Sequence, residues 1–65
     1  MKKQLWKVTG FGQKNKYGRF DKFQTVEVKT EVGASDNDAI ELAKPLIKAE
    51  AQEKFEAKKH LIVAE

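Results

Sequence analysis

The residues best suited to chemistry lie between residues 11 and 23, where basic and aromatic side chains alternate. Proteins use this combination to neutralise phosphates and to stack on exposed bases. The basic members are Lys14, Lys16, Arg19 and Lys22, and the aromatic members are Phe11, Tyr17, Phe20 and Phe23. From these we choose Lys14, Lys16, Tyr17, Arg19 and Lys22 as candidate nucleic-acid-binding residues. We expect Tyr17 to be the exposed aromatic, because it sits between Lys16 and Gly18 in a predicted loop.

The distribution of charge along the chain also favours phosphate binding by its first half. Residues 1–33 contain eight basic and three acidic side chains, whereas residues 34–65 contain five basic and seven acidic ones. A second interpretation stays open, because loops are commonly lysine-rich for solubility and large aromatics build small cores. The basic hairpin is therefore either a phosphate-binding surface or a solvated loop.

Catalytic and metal-binding groups are scarce. His60 is the only histidine, Ser35 is the only serine, and cysteine is absent. Ser35 suits a helix cap, and His60 suits the C-terminal end of a helix dipole. Gly10-Phe11-Gly12 begins like a phosphate-binding glycine loop, but no third glycine follows at the required spacing. The sequence therefore predicts a protein that is not an enzyme, with no catalytic residue, no metal site and no cofactor.

Two strands are expected before the loop and after it. Residues 4–8 alternate, with Trp6 and Val8 on one side. A polar loop follows over residues 13–18, in which Asn15 and Gly18 are available for positive φ. Residues 20–32 predict a second, longer strand from the alternation of valines with charged residues. Its length predicts a bulge near Phe23.

A helix is expected after the second strand, from Ser35 to about residue 59. Ser35 and Asp38 fit an N-terminal capping box, and Pro45 predicts a kink or a restart of the helix. Residues 60–64 predict a closing strand. The apolar residues of these elements should form one core, with the inward positions Val26, Val28, Val32, Ile40, Ala43, Ile47 and Phe55.

These elements occur in the order β-β-α-β, and they predict the fold class. We expect one small α+β domain over residues 1–65, a three-stranded antiparallel-type sheet with one kinked helix on one face. The chain has 65 residues and no apolar run near the roughly 20 that a membrane span needs. We therefore expect a cytoplasmic protein that makes no membrane contact. A homodimer is also expected, because so short a chain leaves a sheet face and an edge uncovered.

The segments Trp6-Lys7-Val8-Thr9-Gly10, Ser35-Asp36-Asn37-Asp38-Ala39-Ile40 and Ala43-Lys44 resemble small bacteriophage-encoded accessory proteins with a β-hairpin-plus-helix plan. This resemblance implies a compact protein that binds a host or phage macromolecule, and it assigns a function to no single residue. Two functional interpretations follow. The protein binds nucleic acid non-specifically through the basic aromatic hairpin, or it is a phage-type module that binds or inhibits a host protein through a sheet edge.

Overall fold

The central strand of the sheet is the first one in the sequence. In the computed structural model, which describes residues 2–64, β1 (Lys2–Phe11) lies between β2 (Phe23–Glu31) and β3 (Lys54–Ala64). Both neighbours run antiparallel to β1. The helix α1 (Asp36–Ala43) connects β2 to β3. The prediction of a three-stranded antiparallel α+β fold in the order β-β-α-β is therefore confirmed.

One face of the sheet, called the inner face below, carries the core. Trp6 and Val8 of β1 point to this face, and Val28 of β2 joins them opposite Trp6. The indole Nε1 of Trp6 donates a hydrogen bond of 2.7 Å to Thr30 Oγ1, so the one buried tryptophan keeps its polar atom satisfied. The core consists of Trp6, Val8, Val28, Ala39, Ala43, Ile47 and Ala51, with Val26, Ile40, Phe55 and Ala57 packed against it.

The start of α1 follows the sequence prediction. The Ser35 hydroxyl accepts a hydrogen bond from the Asp38 backbone N–H, and the Asp38 carboxylate accepts one from the Ser35 N–H. These two bonds satisfy donors that the first turn of a helix otherwise leaves unpaired. The capping box is therefore present.

In residues 2–64, no helix is long and apolar enough to cross a lipid bilayer.

The end of the helix differs from the prediction. Instead of a kinked helix reaching residue 59, α1 ends at Ala43 and continues as a single 3-10 turn, Lys44–Leu46, which contains Pro45 in its first positions. A second 3-10 turn follows at Ala49–Ala51. Pro45 lacks the N–H that would continue the α-helical pattern, which favours the end of the helix here.

The segment after the helix is tied to the sheet by side-chain amides. Gln24 of β2 donates from Nε2 to the Leu46 carbonyl at 3.2 Å and accepts at Oε1 from the Lys48 N–H at 2.9 Å. Gln52 donates to the carbonyls of Lys44 and Ile47 at 3.0 and 2.8 Å. These bonds satisfy backbone groups that a helix would have paired, so the chain can leave the helical path.

Because the helix ends early, β3 begins at Lys54 rather than at residue 60. Phe55, which the periodicity assigns to the helix, lies in β3 opposite Gly10, and His60 lies in the strand rather than at a helix end. The pairing of β1 with β3 shifts between Gln4 and Trp6, where β3 has one residue more than β1. This bulge interrupts the pairing of β1 with β3, whereas β1 pairs with β2 from Glu31 to Phe23 without a register shift. The predicted bulge in the second strand is therefore wrong.

The second strand is also shorter than predicted, which removes one residue from the expected core. It ends at Glu31, and Val32 enters a turn with Gly33 at φ 95°. Val32 is 53% exposed. Val26, Val28, Ile40, Ala43, Ile47 and Phe55 do contribute to the core as predicted. Alternation cannot tell the last inward residue of a strand from the first residue of the turn.

Gly10 and Gly12 allow the segment after the helix to touch the sheet. A Cβ at Gly10 would collide with the carbonyl oxygen of Ala51 and would lie 2.8 Å from Ile47 Cγ2. A Cβ at Gly12 would collide with the carbonyl oxygen of Glu50. Both glycines thus serve close packing of two backbones. Gly10 does not end β1, which continues to Phe11.

Candidate nucleic-acid interface

The candidate residues lie on a hairpin that extends β1 and β2 beyond the sheet. The Gly12 N–H donates to the Lys22 carbonyl at 2.7 Å, Lys14 bridges Phe20, and the Asn15 N–H donates to the Arg19 carbonyl at 2.7 Å. The hairpin therefore has its own ladder of backbone hydrogen bonds.

The tip of the hairpin, residues 15–19, is organised by Asn15. Its Oδ1 accepts from the backbone N–H groups of Tyr17 and Arg19 at 2.9 and 3.0 Å. Its Nδ2 donates to Asp21 Oδ1 at 2.8 Å. Gly18 takes the positive φ of 78°, as expected, but Asn15 does not have a positive φ. Asn15 acts through its side chain, in the manner of an Asx turn.

Four of the five candidate residues lie at or beside this tip. Tyr17 is 74% exposed, and Lys14, Lys16 and Arg19 are exposed as well. Lys16 Nζ lies 5.1 Å from the centre of the Tyr17 ring, and Lys14 Nζ lies 5.5 Å from that of Phe20. Such distances permit cation–π contacts, which are weak at exposed sites. The tip therefore combines one open ring with three exposed cations.

Lys22 is placed differently from the other four. It lies at the base of the hairpin, and its Nζ is 3.7 Å from Glu50 Oε2 in the segment after the helix. Within residues 2–64, the charged groups of Lys14, Lys16 and Arg19 form no ion pair. An acidic neighbour competes with phosphate for Lys22, so this lysine contributes less positive charge to the interface than the other three.

An aromatic cluster lies at the base of the hairpin, on the face of the sheet opposite the helix. The rings of Phe11 and Phe20 are 5.0 Å apart and inclined by 46°. Lys54 of β3 places its Nζ 5.9 Å from the Phe11 ring and 5.5 Å from the Phe20 ring. Sequence analysis misses Lys54, because the helical periodicity assigns it to a helix and no local signal places it beside Phe11.

The scarce catalytic groups are not brought together. Ser35 caps α1, and His60 lies exposed in β3 at the bulge opposite Leu5. Within residues 2–64, no three histidine, aspartate or glutamate side chains are grouped as metal ligands. The expectation of a non-enzymatic protein stays a prediction.

Comparisons with protein-family models, curated proteins and solved structures yield no match to this chain. The function is therefore argued from the residues of the hairpin and the sheet.

Proposed function

We propose that the protein binds nucleic acid without base specificity through its hairpin tip. Lys14, Lys16 and Arg19 contact phosphates, and Tyr17 stacks on a base. The observation that carries the proposal is the 74% exposure of Tyr17 beside cations that form no ion pair within residues 2–64.

The tip has no role in the core that would explain this composition. The core residues all come from the sheet, α1 and the segment that follows it. The shape of the tip depends on Asn15, Gly18 and backbone bonds rather than on the side chains of Lys16, Tyr17 or Arg19. These side chains are free to contact a ligand, and their type matches phosphates and bases.

The binding should depend strongly on salt. Three cations that each neutralise one duplex phosphate give a slope of log K against log salt of about −3, and single strands give about −2. Dissociation constants for such non-specific binding are on the order of 10⁻⁴ to 10⁻⁶ M at physiological salt.

The test is the double variant Lys16→Glu with Arg19→Glu, measured by fluorescence anisotropy of labelled oligonucleotides at low salt. We expect binding to be lost while the melting temperature stays unchanged, since exposed tip charges do not support the core. The matched control is Lys2→Glu with Lys58→Glu, which changes the net charge equally at two exposed lysines away from the hairpin. If the two double variants lose affinity equally, binding reflects net charge and the proposed interface is wrong. Absence of binding by the parent protein at high micromolar concentration contradicts the proposal as a whole.

A second candidate function is protein binding along β3, in line with the resemblance to phage accessory proteins. β3 is an edge strand of the sheet, and its uncharged end exposes Leu61 and Ile62 by 44% and 51%. An open strand edge of this kind pairs with an added strand, from a host protein or from a second copy in a homodimer. Sedimentation of the parent protein at micromolar concentration tests the homodimer, and a 7.4 kDa species excludes it. Binding to a protein through an apolar edge should change little with salt, unlike binding to phosphates.

A further inference from the structure

The face of the sheet opposite the helix, called the outer face, carries a row of residues beside the hairpin. Side chains alternate along a strand, so the neighbours of the inward residues Trp6 and Val8 point outward. The hydroxyls of Thr9 and Thr25 are hydrogen-bonded at 2.9 Å, so both side chains lie on the outer face of β1 and β2. Two residues further along, Phe11 lies opposite Phe23, and on its other side it lies opposite Lys54.

The aromatic rings in this region differ in how much of their surface is free. Phe11 and Phe20 pack against each other, and Lys54 approaches both rings. Phe23 is 65% exposed. An exposed phenylalanine has no polar atom to hydrate, and an open ring on a face that also carries a lysine suits base stacking.

We infer that Phe23 is a second stacking platform and that Lys54, on the other side of Phe11, supplies a phosphate contact, so that the ligand is single-stranded nucleic acid. This inference rests on the proposed function of the hairpin. The bound nucleic acid runs from the tip, where one base stacks on Tyr17, to the outer face, where another base stacks on Phe23.

Single strands fit this surface better than duplexes. The bases of a duplex stack on each other, so an open ring gains contact only with bases that have been unstacked. Lys14 and Lys54 both approach the Phe20 ring, which places positive charge along the route from the tip to Phe23. Glu56 is the next outward residue of β3, opposite Thr9. Its carboxylate repels phosphate, so this row contributes less to binding than Phe23 and Lys54 do.

The experiment compares Phe23→Ala and Lys54→Gln with the parent protein, using a labelled oligothymidylate of about 12 nucleotides and a duplex of equal length. Phe23→Ala should weaken single-strand binding on the order of fivefold to a hundredfold and duplex binding less than twofold. Lys54→Gln should make the salt slope for the single strand shallower by about 0.7. Leu42→Ala is the matched control, because Leu42 is also an exposed apolar residue but lies on α1. This variant should bind both oligonucleotides with the affinity of the parent protein.

Phe23→Leu separates stacking from folding. Leucine keeps the apolar bulk of the strand residue but lacks a ring, so this variant should melt with the parent and still lose single-strand affinity. If Phe23→Leu binds the single strand as the parent does while Tyr17→Ala loses affinity, the outer face is not part of the site and the hairpin function stands. If the parent binds neither oligonucleotide, the function of the hairpin is wrong and this inference falls with it.

Discussion

The inner and outer faces of the same three strands differ in the size of their residues and in whether those residues belong to the core. On the inner face, Gly10 of β1 meets Ala51 of the second 3-10 turn, and Ala43 of α1 is also small, because these segments approach the sheet closely. On the outer face, Phe23 and Lys54 are large and are not part of the core. The inner residues are set by stability, whereas the outer ones contact the ligand under the proposed function. A substitution on the inner face should therefore alter unfolding, and one on the outer face should alter binding.

Gly10→Val is one of two substitutions expected to have a large effect on the inner face. Its branched side chain would collide with the carbonyl oxygen of Ala51 and with Ile47. Overpacking against backbone should lower the free energy of unfolding by about 3 kcal/mol, which a domain of this size barely tolerates. Urea denaturation followed by circular dichroism measures the loss.

Gly18→Ala is the control for the Gly10 substitution. Gly18 has a positive φ, but a Cβ there meets no atom within 4 Å. Its cost should be about 1 to 2 kcal/mol, from backbone strain alone. Equal costs at the two glycines would show that close packing does not determine the residue at position 10.

Ile47→Ala tests how much the buried Ile47 side chain contributes to the free energy of unfolding. Ile47 is buried between the sheet and α1, and its truncation should cost about 2 to 4 kcal/mol through lost apolar contact and the cavity left behind. The neighbouring Leu46 is 54% exposed, so Leu46→Ala should change stability by less than about 0.5 kcal/mol. Thermal denaturation of the two variants compares them directly. A similar loss for both would mean that residue 47 is not in the core.

The smallest effect on global stability is expected for Asn15→Ala, at the hairpin tip. Loss of the Asn15 side chain removes acceptors for the Tyr17 and Arg19 amides. We expect a cost of about 1 kcal/mol, confined to the tip. Hydrogen exchange should become faster at these two amides while the amides of β1 keep their protection. Faster exchange throughout β1 would contradict the separation of hairpin and core.

The sequence predicts most of the fold where local signals are decisive. The alternation of Val26 and Val28 identifies β2, and the pairing of Ser35 with Asp38 identifies the start of α1. These features depend on residues a few positions apart.

The error in the helix arises from residues that do face the core. Ala43, Ile47, Ala51 and Phe55 recur every four positions, which is typical of a helical stripe. All four contribute to the core, but the chain carries them there through a helix end, two 3-10 turns and a strand. Spacing predicts which residues are inward more reliably than it predicts the backbone that connects them.

In the candidate site too, local features are predictable from the sequence, whereas contacts between distant segments are not. The tip residues follow from their position in a loop, because Asn15 and Gly18 are local turn signals. The pairing of Lys22 with Glu50 and the approach of Lys54 to Phe11 depend on how separate segments meet. Neither contact has a sequence signal, although both change the surroundings of a lysine at the proposed interface.

The placement of the two largest aromatic residues gives this chain two independent optical reporters. The only tryptophan, Trp6, is 3% exposed in the core, and the only tyrosine, Tyr17, is at the hairpin tip. Indole emission should therefore shift to longer wavelength when the core is hydrated on unfolding. Phenol emission should instead be quenched when a base stacks on Tyr17. Unfolding and binding can thus be followed in one unlabelled sample, at two wavelengths, without introducing a dye.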